Sequence, residues 1–249
     1  MKLRVLIFIL MMTGEAGAIA PPPGMVEVKA GAYKLFYKEK DQKELAQISS
    51  FFIDKFPVTN KDFLEFVQKN PEWKKSAVPT VFATANYLQS WPSANAIPEG
   101  QEKHPVVSVS WFAARKYCEA KGKRLLTVNE WEYASDSDNP ANADIILEWY
   151  GRPNSQLSAI KKGKANKFGV YDMHGLIWEW VEDYASVMIK GDSRSDNSRE
   201  KNLFCGSGSL GAASTEEYAT FMRFAFRSSL KGNYVTENLG FRCGKDIQP

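Results

Sequence analysis

Histidine is nearly absent from this chain: His104 and His174 are the only two in 249 residues. Zinc and non-haem iron centres draw heavily on imidazole, so a histidine-rich metal site is excluded. Cysteine is scarce too, with Cys118, Cys205 and Cys243; three thiols allow at most one internal disulfide and leave one sulfur over. An excess of one charge sign is also missing. The formal charge of +3, from 32 Lys and Arg against 29 Asp and Glu, gives no electrostatic footprint for nucleic acid or for an anionic membrane. No Gly-x-Ser-x-Gly elbow and no Gly-Lys-Ser/Thr phosphate loop occurs, which sets aside serine-hydrolase and P-loop chemistry. No internal repeat points to a solenoid.

What is present is enough apolar material for a sizeable core: 44% apolar and 13% aromatic residues exclude general disorder and suit one domain of the larger kind. Residues 1–18 read as a signal peptide. Lys2 and Arg4 form a positive start, Val5 to Met12 is apolar, and Ala16-Gly17-Ala18 offers small residues for cleavage. That apolar run is too short to span a bilayer. Residues 19–24, with Pro21-Pro22-Pro23, form a short Pro-rich linker, and 25–249 form a single domain. The expected location is secreted or periplasmic, with no membrane insertion and no preference as to oligomeric state.

Alternation predicts strands at Met25-Val26-Glu27-Val28 and around Phe51 to Phe56. Helical spacing and a polar cap predict a helix from Asn60 through Val67. A second runs from Trp111 to Lys121, stopped by Gly122, and a third follows the capping-box pattern Thr127-Val128-Asn129-Glu130. The stretches 71–104, 136–166 and 189–202 read as loop-rich. Short helices among short strands and long loops predict an α+β domain.

In order along the chain, MVEVKAGAY, FFIDKFPVTNKDFLEFV, HPVVSVSWFAARKYCEAKGKRLLTVNEWEYAS, NKFGVYDMHGLIWEW and NLGFRC resemble the sulfatase-modifying-factor family, which includes the formylglycine-generating enzymes. The resemblance implies the family's variant of the C-type lectin fold. It also implies a disulfide between Cys118 and Cys243, and a structural calcium held by the Asp172 and Glu179 side chains with the Gly175 and Ile177 carbonyls; two hard carboxylate oxygens suit that ion. In the formylglycine-generating enzymes a pair of cysteines near the C-terminus binds copper(I) and activates oxygen. Those positions fall here on Leu210 and Thr215, or on Ser214 and Ala219, depending on where the pattern is anchored. Neither register contains a thiol. A second family disulfide would need cysteines at Ser135 and Phe224.

Cys205 carries two readings: a reactive or copper-binding thiol near Met222 or His174, or a small buried apolar residue. Ser207 beside it is a weaker catalytic candidate. Arg223, Arg227 and Arg242 lie where relatives line the floor of the site, and either hold an anionic substrate group or pair with Glu179 and Asp183. The leading functional expectation is an accessory or maturation factor for another exported enzyme or peptide, without formylglycine-generating activity. Whether any catalysis remains stays open. One alternative is altered oxidative chemistry using Cys205 or a bound metal such as copper; another is a lectin-like binding module with recognition carried by 206–222.

Overall fold

The computed structural model describes residues 19–36, 43–137, 139–151, 157–161, 163–185 and 215–247, with side chains in the last span from Glu217 onward. The chain opens with β1 (Met25–Val28), the hairpin of β2 (Gly31–Lys34) and β3 (Leu45–Ile48), and β4 (Phe51–Asp54). Helix α1 (Asn60–Lys69) follows. Its start is fixed by a capping box: the Thr59 hydroxyl accepts from the Asp62 amide at 3.2 Å, and the Asp62 carboxylate accepts from the Thr59 amide at 3.2 Å.

A long irregular stretch with one short 3₁₀ turn then leads to α2 (Trp111–Ala120), capped by the Ser110 hydroxyl. Gly122, at φ +64°, lets the chain reverse after this helix. Next come β5 (Arg124–Leu125), α3 (Val128–Ala134) with its Thr127 and Glu130 capping box, and α4 (Pro140–Tyr150). The described chain ends with β6 (Trp178–Glu179), α5 (Thr215–Ser228), β7 (Leu239–Gly240) and β8 (Cys243–Asp246).

The main sheet has the order β1-β4-β8-β5, antiparallel throughout. The last strand in sequence is therefore an inner strand. Its entry is locked by the Cys118–Cys243 disulfide, which joins α2 to β8 across 125 residues, with both cysteines fully buried. In the chain-entropy account, a bridge of that span contributes about 4–5 kcal/mol. A short parallel pair, β6 with β7, stands apart.

Two apolar clusters flank this frame. One gathers Phe63, Tyr117, Trp91, Trp180 and Phe241; the other gathers Val28, Phe51, Ile53, Trp131 and Val170. Successive residues Leu125 and Leu126 enter different clusters, as expected of extended chain whose side chains alternate in direction. Among the described residues no helix is long and apolar enough to cross a membrane.

Two segments depart from the sequence reading. Within 136–166, expected to be loop-rich, α4 forms with Asn139 capping it and Pro140 in its first turn, a position where proline costs no hydrogen bond. The recognition loop expected over 206–222 instead enters α5 by Thr215. Two inward-facing arginines, Arg223 and Arg227, interrupt the apolar pattern that would have announced this helix.

Gly240 sits where β7 passes the backbone at Val106, and a Cβ there would lie 2.4 Å from the Val106 carbonyl oxygen. Backbone cannot yield as a flexible side chain does. Gly240→Ala is expected to cost about 1–3 kcal/mol, measurable by urea unfolding.

Candidate functional site

The interior beside α5 is organised by charge. Arg223 and Arg227, one helical turn apart, share a face of α5 and converge on Glu132 of α3, which is fully buried. Arg223 donates to its carboxylate from Nε at 3.0 and 3.1 Å and from Nη2 at 2.7 Å; Arg227 donates from Nη1 at 2.7 Å. Burial alone would raise the Glu132 pKa, but the two guanidiniums outweigh it and hold the carboxyl at about 2. Removing either partner of a buried pair leaves an uncompensated charge, so such a cluster tolerates little change.

A second buried pair lies alongside. Glu179 accepts from Arg242 Nε and Nη2 at 2.8–3.0 Å and from Trp131 Nε1 at 2.7 Å. Trp131 joins the two pairs, because the Arg227 guanidinium carbon sits 4.3 Å from its ring centroid. His174 packs edge-on against the same indole, with Nε2 3.0 Å from the Ser135 carbonyl. Burial, reinforced by Arg223, lowers its pKa to about 3, so it is neutral near pH 7.

Outside this buried framework an open cleft of about 1150 Å³ runs between α4, β6 and the segments near 86–90 and 235–238. Its aromatic wall is layered: Trp178 stacks on Phe226 at 4.0 Å and on Tyr150 at 4.9 Å, with Trp149 at 5.2 Å. Facing groups are mainly neutral amides and hydroxyls, including Asn86, Gln89, Thr236 and Asn238; Glu237 is the charged residue among its described lining. Such a surface suits a ligand offering an apolar face and many neutral hydrogen-bonding groups.

The expected site residues are distributed unevenly over this arrangement. Cys205 and Ser207, with the position candidates Leu210 and Ser214, lie outside the described residues. Ala219 is 1% exposed and packs with Ala143, Ile146 and Tyr150; a methyl group fills the place assigned to a thiol in one register. Phe224 packs against Phe36, with ring centroids 5.5 Å apart, and the Ser135 hydroxyl donates to Glu132 O at 2.9 Å. Arg242 does pair with Glu179. Arg223 and Arg227 pair with Glu132 instead of Asp183, whose carboxylate accepts from the Val128 amide at 2.7 Å at the start of α3.

Of the residues expected to hold calcium, Glu179 accepts from Arg242 and Trp131, and the Asp172 carboxylate accepts from the backbone amides of Lys161 and Gly163.

Sequence reasoning missed Glu132 and Trp131 as organisers, treating them only as members of a capped helix. The available signal was a glutamate at an inward position between Trp131 and Ala134. The aromatic wall was missed because Trp149 and Tyr150 of α4, Trp178 of β6 and Phe226 of α5 come from three separate segments and meet only through packing.

Comparison with known proteins places this geometry. The model of the family described as "Sulfatase-modifying factor enzyme 1-like domain" matches residues 13–247. The chain is 28% identical over 248 residues to the serine/threonine-protein kinase pkn1 of Chlamydia caviae, covering 94% of this chain. It spans about 40% of that relative's length. It is 25% identical to the inactive C-alpha-formylglycine-generating enzyme 2 of Mus musculus, covering 90% of this chain and 86% of that one, and equally identical to the formylglycine-generating enzyme of Bos taurus. The crystal structure of CarF, 17% identical, covers 91% of this chain and 99% of that one with a TM-score of 0.52. At that identity it shows a shared fold alone.

Two outcomes follow from the buried pairs. Glu132→Gln should cost about 3–5 kcal/mol, since it strands two guanidiniums. Because the folded pKa of Glu132 lies below its ordinary value of 4.5, its contribution is complete above pH 4.5 and is lost as pH falls toward 2. Urea midpoints taken down a pH series check both. Calcium returned to chelator-treated protein should leave the melting temperature unchanged; a calcium-dependent rise would mean that Glu179 leaves Arg242 for the metal.

Proposed function

Because this chain belongs to the sulfatase-modifying factor family, we propose that it is an exported member without formylglycine-generating activity, an accessory or maturation factor that holds an extended segment of another exported protein. The observation that carries this reading is the Cys118–Cys243 disulfide. With that bridge formed, Cys205 is the one thiol left among three cysteines, whereas a two-thiolate copper(I) centre needs a pair. The methyl of Ala219 among apolar neighbours supports the same reading, as does similarity to a relative whose name describes it as inactive.

The cleft supports a binding role. An extended peptide brings a repeating series of backbone N–H and C=O groups that must be satisfied, and side-chain amides such as Asn86, Gln89 and Asn238 both donate and accept. The Trp149, Tyr150 and Trp178 wall offers rigid area against which a client side chain buries apolar surface. Export rests on the Lys2 to Ala18 leader pattern.

Two experiments test the reading. Incubated with copper(I) and oxygen, the protein should leave a Cys-x-Pro-x-Arg peptide unchanged by mass spectrometry; conversion to formylglycine overturns the proposal. In fluorescence titrations against an extended-peptide library, Trp149→Ala should weaken binding at least about tenfold, or 1.4 kcal/mol, with the melting temperature nearly kept. Binding to a glycan array with no peptide binding would replace the peptide client by a sugar.

A further inference from the structure

The buried charges beside α5 do not balance. Arg223, Arg227 and Arg242 face Glu132 and Glu179, and all five are at most 3% exposed. One positive charge is in excess. His174 does not offset it, since burial and Arg223 keep it neutral near pH 7, and burial keeps Tyr150 a neutral phenol.

Glu132 takes three N–H groups, from Arg223 Nε, which it shares between both oxygens, Arg223 Nη2 and Arg227 Nη1. Glu179 likewise takes three, from Arg242 Nε and Nη2 and from Trp131 Nε1. Two guanidinium nitrogens remain without a partner: Arg223 Nη1 and Arg227 Nε, both buried. A guanidinium can neither lose its proton nor accept, so these N–H groups stay donors in need of an acceptor.

Both arginines line one small cavity of about 10 Å³, together with Trp131, Tyr150, His174 and Glu179. Its size admits a single water-sized species. A water molecule there would accept from one donor, but it would leave the excess charge standing. An anion needs only donors, and one negative charge closes the count.

We infer that this cavity is a binding site for one halide-sized monovalent anion, held by Arg223 Nη1 and Arg227 Nε. Sulfate and phosphate are too large for it. The ion completes the tie between α3 and α5 from inside the fold, and is distinct from any ligand in the open cleft. It stabilises the folded state by mass action, since an unfolded chain has no such pocket.

Crystals of the full-length protein grown or soaked in bromide test this directly. The expected result is an anomalous peak between Arg223 and Arg227, together with a saturable rise of several degrees in melting temperature as chloride replaces gluconate at fixed ionic strength. No anomalous peak at that position, or identical melting temperatures in the two salts, overturns the inference. Arg227→Gln removes both the excess charge and an unpaired donor and should abolish both signals. Should that variant fail to fold, the wild-type measurements decide the question alone.

Discussion

The constraint on which the rest of this structure depends is that Glu132 cannot sit fully buried unless two arginines from a helix some ninety residues later reach it. The residue has no solvent exposure, and an isolated ionised group in such a place would cost far more than a small domain can absorb. Arg223 and Arg227 therefore have to be delivered together. Helical spacing does this at once, since residues four apart share a face, and so α5 must form and must lie against α3 and α4. The cleft wall follows, because the same helix presents Phe226 to Trp178.

A second constraint runs through the C-terminal strand. β8 lies between β4 and β5, so the main sheet cannot be completed until the last residues of the domain have arrived. The disulfide at Cys243 holds that strand to α2, and the neighbouring Arg242 is bound to Glu179. One turn of chain thus anchors the sheet, the helix beneath it and the second buried carboxylate. Trp131 connects this anchor to the first, with its indole N–H on Glu179 and its face under Arg227. The charge framework and the sheet are one assembly, and this is why the rigid interior ends where the aromatic wall of the cleft begins.

Function is separable from fold. The interior of this chain is built by capping boxes at α1 and α3, the Cys118–Cys243 bridge and the parallel β6–β7 pair. At Ala219 the chain places a methyl among apolar neighbours. Ala219, Arg223 and Arg227 follow one another at four-residue spacing on α5, so the contact with α4 at Ala219 continues directly into the charge framework on Glu132.

Much of the architecture was legible in the residues themselves. β1, β4 and the helices starting at Asn60, Trp111 and Val128 carry local signals: alternation, polar caps, a terminating glycine. The pairing of Cys118 with Cys243 came by resemblance to a family, since three cysteines alone leave the pairing open. α4 and α5 were not legible, because their apolar faces are narrow or broken by arginines whose charge is neutralised only by distant partners. The same reason hid the centre of the site. That Arg242 meets Glu179 was one of two open readings, and that Arg223 and Arg227 meet Glu132 was not among them. The sequence by itself determined which segments are helix or strand wherever the signal is local, and that a single thiol remains outside the bridge. Only the tertiary structure decided which charges meet, where acceptors run short and which aromatic residues form the cleft, because burial and pairing join residues that sequence spacing does not relate.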